Sequence, residues 1–118
     1  MIKVSVMYKN AAGCRFDMDY YCRTHIPMVR DRLGAACKGI AVDKGLSGEE
    51  PGSSPSYIAM GHLFFDSPEA FQASFGPQAE VILADVPNYT DAEIVLQMSE
   101  VMINASRSEA GELRLHGG

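Results

Sequence analysis

His25 is the residue whose type and position most readily support chemistry in this chain. It lies within residues 16–33, where Met18, Cys22, His25 and Val29 recur at helical spacing, so the imidazole falls on the apolar face of a predicted helix. An imidazole there can exchange a proton near neutral pH. Pro27 lacks a backbone N–H, so we expect the helix to bend or restart and to free a nearby carbonyl. His25 is therefore either a core histidine bonded to that carbonyl or a proton-transfer residue.

A second candidate, His62, lies in a predicted strand at residues 57–65. Because side chains alternate along a strand, His62 shares one face with Met60 and Phe64. If that face turns toward the helices, His62 converges with His25, and Met60 and Phe64 line the same cleft. The two histidines would then be catalytic groups that move a proton to or from a bound substrate.

Polar groups that could orient such a substrate come from the tyrosines and one asparagine. A phenolic hydroxyl or an amide can hydrogen-bond to a carbonyl or a phenol. The candidate substrate-binding residues of this kind are Tyr8, Tyr21, Asn88 and Tyr89. The alternative is that the tyrosines bury their rings and direct their hydroxyls to water.

Cofactor chemistry has little support in the sequence. Cys22 and His25 are three residues apart, but a structural metal site needs three or four ligands. Three cysteines without CxxC spacing fit reduced thiols in a cytosolic chain. Neither a glycine-rich phosphate loop nor a G-x-S-x-G motif is present. We therefore expect no metal and no other cofactor.

Composition restricts the class of protein further. A length of 118 residues with 47% hydrophobic content predicts one domain with a single cleft. A net charge of -5 with scattered lysines and arginines argues against nucleic-acid binding. The chain has no apolar run of about 18 residues and starts directly in a strand pattern, so we expect no membrane span, no signal peptide and a cytoplasmic location.

The elements that must position these residues follow from hydrophobic periodicity and turn signals. Strands are predicted at residues 2–8, 37–46, 57–65 and 92–101, and helices at 16–33 and from 68 to 84 with a break at Gly76 and Pro77. This β-α-β-β-α-β order is typical of an α+β ferredoxin-like fold, with a four-stranded antiparallel sheet and both helices on one face. The domain spans residues 1–103, and we expect residues 104–118 to be a disordered tail.

The other face of that sheet has no helices to cover it. Strands about 4.8 Å apart and roughly seven residues long give it an area of about 400 Å², enough to indicate a partner. Large side chains of the third strand face outward in either orientation: Tyr57, Leu63 and Phe65, or Ile58, Met60 and Phe64. We therefore expect two copies to pair face to face as a two-fold homodimer.

Several segments, taken in order, resemble the EthD family. They are MIKVSVMY at residues 1–8, FDMDYY at 16–21, THIPMV at 24–29, GHLFFD at 61–66 and PNYTD at 87–91. This family is named for a protein associated with ethyl tert-butyl ether degradation and belongs to the dimeric α/β-barrel superfamily. The resemblance implies a homodimer whose two sheets form a barrel, with a ligand cleft in each subunit between helices and sheet.

The superfamily includes cofactor-free monooxygenases, haem-degrading enzymes, muconolactone isomerases and dehydratases, so the resemblance implies a hydrophobic pocket rather than one reaction. Two hypotheses follow. The first is a cofactor-free isomerase, dehydratase or monooxygenase-type step in degradation or secondary metabolism, with His25 and His62 transferring protons. The second is a small-molecule binding or accessory dimeric protein without turnover. Haem bound through a histidine also stays open.

Overall fold

The computed structural model describes residues 1–105. Its strands are β1 (Ile2–Lys9), β2 (Gly39–Lys44), β3 (Tyr57–Phe65) and β4 (Ile94–Glu100). Its helices are α1 (Met18–Tyr20), α2 (Ile26–Leu33), α3 (Pro68–Phe75) and α4 (Ala79–Ala84). The predicted α+β ferredoxin-like fold is confirmed. The predicted tail lies outside the described residues except for its first two positions, 104 and 105.

The four strands form one antiparallel sheet in the order β2-β3-β1-β4. Strand β1 is central, and its Val4 lies opposite Leu63 of β3 and Met98 of β4. Strands β2 and β4 are the edges. No helix in the described range is long and apolar enough to cross a bilayer.

The faces of β3 differ sharply in burial. Phe65 is fully buried, and its ring centroid lies 5.2 Å from that of Phe71 in α3. Phe65 and every second residue before it in β3 therefore face the helices. The residues on this covered face are Ala59, Gly61, Leu63 and Phe65. The residues on the opposite, uncovered face are Ile58, Met60, His62 and Phe64. Of the two orientations considered from the sequence, the second is the one adopted.

A π-helical turn at Tyr21–His25 lies between α1 and α2, directly before the turn that contains Pro27. The backbone N–H of Ile26 bonds to the carbonyl of Tyr21, and α2 then starts at Ile26, with Pro27 in its first turn. A missing N–H has little cost in a first turn. The predicted restart of the helix is confirmed, and His25, at the end of the π turn, is buried.

Two side-chain caps set where the helices begin. The Asp17 carboxylate accepts the backbone N–H of Tyr20 at 3.0 Å, and the Ser67 hydroxyl accepts that of Ala70 at 3.1 Å. The backbone N–H of Asp17 also bonds to the carbonyl of Tyr89 at 2.8 Å. The start of α1 is thereby attached to the segment that precedes β4.

Candidate functional site

His25 lies at the end of the π turn with only 4% of its surface exposed. Its Nδ1 is 2.9 Å from Oδ2 of Asp85, and its Nε2 is 3.4 Å from the hydroxyl of Tyr89. Because a carboxylate only accepts hydrogen bonds, the Nδ1 atom carries the proton, and in the neutral ring Nε2 is the acceptor. Asp85 and Tyr89, not a freed backbone carbonyl, are therefore the partners of His25, which corrects that alternative.

Asp85 follows α4 directly and precedes the 3-10 turn Val86–Asn88. Its Oδ1 accepts hydrogen bonds from the hydroxyl of Tyr20 at 2.7 Å and from the amide of Asn88 at 2.8 Å. Burial, the largest single influence, raises the pKa of Asp85, but the hydrogen bonds from Asn88, Tyr20 and His25 and the charge of His25 together lower it. Asp85 is therefore a carboxylate at neutral pH.

A pair of tyrosine hydroxyls extends this chain of hydrogen bonds toward the sheet. The hydroxyls of Tyr89 and Tyr8 are 2.8 Å apart, and both residues are buried. Burial raises the pKa of both phenols, although for Tyr8 the hydrogen bonds with Tyr89 and Tyr21 oppose the change. Both hydroxyls keep their protons at neutral pH and can donate them in hydrogen bonds.

Aromatic packing holds the imidazole in this position. The ring of Tyr21 stacks on that of His25 with centroids 5.6 Å apart, and the Tyr89 ring lies 4.5 Å away on a tilt. The hydroxyl of Tyr21 reaches β3 at Gly61, where a Cβ atom would overlap it. Gly61 therefore provides the space that Tyr21 needs to pack against His25.

We expect Gly61→Ala to lower the free energy of unfolding by about 1–3 kcal/mol, since an added methyl group overpacks the core. Tyr21→Phe removes the overlapping hydroxyl and should restore much of this loss in the double variant. Urea denaturation measures both effects. Gly76→Ala is the matched control, because nothing lies within 4 Å of its added Cβ. Equal effects at Gly61 and Gly76 would contradict the packing role.

A cavity of about 100 Å³ lies between the helices and the sheet beside these groups. Its polar end comprises Tyr8, Tyr21, His25 and Tyr89. The remainder is apolar and includes Val6, Val29, Leu63, Ile82 and Ile94. At its mouth, Leu83 of α4 and Leu96 of β4 are 55% and 63% exposed. Nε2 of His25 and the Tyr89 hydroxyl thus place a proton acceptor beside a proton donor at the buried end of an apolar pocket.

The expected convergence of His25 and His62 is wrong. His62 adjoins Gly61 in β3, and since Gly61 lines the cavity, His62 points to the opposite face of the sheet. There its Nδ1 is 2.8 Å from the hydroxyl of Ser5, and its Nε2 is 3.0 Å from Asp43.

Met60 and Phe64 lie on the same face of β3 as His62, so they do not line the cavity either. This corrects their predicted place in the cleft. The three tyrosines expected from the sequence do line it. Asn88 instead lies on the outer side of Asp85, where it borders a surface groove. Cys22 is exposed, and its Sγ is 3.7 Å from the sulfur of Met18, away from the imidazole nitrogens.

Sequence reasoning missed Asp85, Tyr20 and Gly61. The only local signal for Asp85 was its place three residues before Asn88, at a turn that contains Pro87. Its contact with His25 joins positions 60 residues apart, which no periodicity within one element predicts.

Comparison with solved structures gives related proteins of the same fold. An EthD-like protein from Ralstonia eutropha JMP134 is 48% identical, with a TM-score of 0.86 over 89% of this chain and 95% of its own. An ethyl tert-butyl ether (EthD) family protein from Bacillus halodurans C-125 is 16% identical, with a TM-score of 0.59 over 85% of this chain and 97% of its own. A protein from Arabidopsis thaliana is 15% identical, with a TM-score of 0.57 over 90% of this chain and 97% of its own.

No curated protein matches the chain. The family model described as the EthD domain matches residues 15–93, a range that contains every site residue named above except those on β1 and β4. With this match over more than half of the sequence and a relative at 48% identity, the chain belongs to the EthD family.

Proposed function

We propose that this EthD-family chain binds a small, mainly hydrophobic molecule in the cavity and transfers a proton to or from it through His25. One observation carries the proposal. A buried imidazole is held by Asp85 on one nitrogen and faces Tyr89 with the other, at the polar end of an apolar cavity. Convergent polar groups in an otherwise apolar pocket are the usual composition of a ligand site.

The chemistry follows from the direction of the hydrogen bonds. With its proton on Nδ1 donated to Asp85, His25 can accept a second proton at Nε2, and the carboxylate then stabilises the imidazolium. The separation of 3.4 Å between Nε2 and the Tyr89 hydroxyl is long for a hydrogen bond, so a ligand atom can replace that contact. The Tyr89 hydroxyl can then donate to an oxygen of the ligand while His25 removes a proton, as a general base.

Ligand binding at the cavity is testable with a matched pair of variants. Val6→Phe fills the cavity from β1, whereas Val81→Phe adds the same bulk at a residue of α4 that is 41% exposed and does not line the cavity. Thermal-shift screening of small ketones, phenols and ethers, including ethyl tert-butyl ether, should find compounds that stabilise the wild type. At a concentration of 100 times Kd, binding stabilises the folded state by about 2.7 kcal/mol.

We expect compounds that stabilise the wild type to stabilise Val81→Phe equally and Val6→Phe hardly at all. Stabilisation that persists in Val6→Phe would place the ligand elsewhere and contradict the proposed cavity site. A compound that binds but is never converted would favour the binding protein without turnover.

We also propose that two copies pair through the uncovered sheet face. Half-buried apolar side chains from three strands support the pairing: Met7 of β1, Met60 and Phe64 of β3, and Val95 of β4. Met7 lies opposite both Met60 and Val95, so these three side chains form an apolar strip across β3, β1 and β4. Covering such a strip with a second copy removes it from water.

Sedimentation at micromolar concentration should give a species of twice 12.8 kDa. Met60→Glu places a charge in the apolar strip and should yield monomers. Leu46→Glu, at a loop residue that is 86% exposed, should stay dimeric. A folded wild-type monomer at this concentration would refute the pairing.

A further inference from the structure

We infer that the ligand is an uncharged molecule with a single oxygen function, bound at the polar end of the cavity, and that carboxylates and other anions are rejected. This inference rests on the proposed function, since it concerns what the same cavity accepts. It follows from which charges and hydrogen-bonding groups line the cavity and where they lie.

Charge is the first argument. Among the described residues that line the cavity, none is a lysine, an arginine, an aspartate or a glutamate. An ionised group, the Asp85 carboxylate, lies behind His25, and its sign opposes an anion. With His25 in the neutral form that acts as the base, an anion would therefore lose its hydration without a cation to replace it, which is costly in an apolar site.

A cationic ligand is disfavoured for a different reason. The oxygens of Asp85 already accept hydrogen bonds from His25, Tyr20 and Asn88, and Asp85 does not line the cavity. A ligand ammonium group would find only uncharged acceptors there, namely Nε2 of His25 and the tyrosine hydroxyls. The cavity thus favours neutral molecules over both kinds of ion.

The number of oxygen functions follows from the grouping of the polar atoms. The hydroxyls of Tyr8 and Tyr89 are 2.8 Å apart, and Nε2 of His25 is 3.4 Å from Tyr89, so the three groups meet at one point. Away from this end the walls are hydrocarbon, including Val29 and Ile82. A second oxygen on the ligand would be buried without a partner, at a free-energy cost of about 1–3 kcal/mol.

Size restricts the class further. A volume of about 100 Å³ is below the roughly 300 Å³ at which drug-sized sites begin. The apolar body of the ligand is therefore a short branched chain or one small ring, with room to extend only through the mouth at Leu83 and Leu96. Small ketones, alcohols and ethers fit this description.

Three probes of the same shape separate the effect of charge from the effect of the oxygen function. They are methyl isopropyl ketone, isobutyrate and the saturated hydrocarbon with the same branching. Binding is followed by the methyl NMR signals of Ile82 and Leu83 at the cavity wall. At neutral pH we expect isobutyrate to bind at least about 100-fold more weakly than the ketone, because its charge is buried unpaired.

Tyr89→Phe removes the central hydroxyl. It should weaken binding of the ketone by about tenfold, the effect of one lost hydrogen bond in a buried site, and leave binding of the hydrocarbon unchanged. Tyr8→Phe is the second variant, for use if Tyr89→Phe does not fold, and we expect the same pattern for it.

Isobutyrate that binds as tightly as the ketone would overturn the inference, and so would equal weakening of ketone and hydrocarbon in both variants. These results would leave the cavity as a binding site and the proposed function intact. If neither the ketone nor the hydrocarbon perturbs the cavity methyl signals, the proposed function itself is wrong, and the inference is overturned with it.

Discussion

Replacing His25 by glutamine is expected to slow the exchange of solvent deuterium into bound methyl isopropyl ketone by about 100- to 10,000-fold, the usual contribution of a general base. Exchange at carbon next to a carbonyl requires a base to remove the proton and a donor at the oxygen. Nε2 of His25 and the Tyr89 hydroxyl provide this pair at the polar end of the cavity. Glutamine keeps a polar group in the space but cannot take up the proton.

The matched control is His62→Gln. His62 lies on the opposite face of the sheet, where Ser5 and Asp43 bond to its ring nitrogens, so its loss should leave the exchange rate unchanged. Proton NMR in deuterated water measures the exchange for each variant. An equal loss in both variants would contradict the assignment of the base to His25. A wild type that binds the ketone without catalysing exchange would favour the binding protein without turnover.

Asp85→Ala is expected to lower the free energy of unfolding by about 3 kcal/mol, since removing this largely buried carboxylate leaves its hydrogen-bond donors unsatisfied. The groups that lose their acceptor are the His25 imidazole, the Tyr20 hydroxyl and the Asn88 amide. The Asp85 side chain is 17% exposed, so water can replace part of the lost hydrogen bonding and limits the effect. Urea denaturation measures the change.

Asp43→Ala is the control for Asp85, since Asp43 also bonds to a histidine but its side chain is 60% exposed. A pair so exposed should contribute less than about 1 kcal/mol. Similar losses of stability in the two variants would contradict the view that Asp85 organises a buried network.

The dependence of stability on pH follows from the lowered pKa of Asp85. The carboxylate stabilises the folded state fully above its unfolded pKa, about 3.9, and this contribution is lost as the pH falls through the lower folded pKa. The difference in unfolding free energy between wild type and Asp85→Asn should therefore be constant near neutrality and shrink below about pH 4. A difference that grows on acidification would mean that the folded state raises this pKa.

Much of the fold could be predicted because its signals are local. The alternation in residues 57–65, the caps at Asp17 and Ser67 and the restart at Pro27 each depend on neighbours within a few positions. The same is true of His25, whose helical spacing alone places it on the buried face.

The tertiary structure decided which face of β3 meets the helices and which distant residues contact His25. Alternation shows that His62 and Gly61 face opposite ways but leaves open which of them meets the helices. That choice depends on packing, because Leu63 and Phe65 fill the layer under α2 and α3 and Gly61 leaves room for Tyr21. Asp85 meets His25 only because two helical segments far apart in sequence pack over one sheet, a contact that no local pattern encodes.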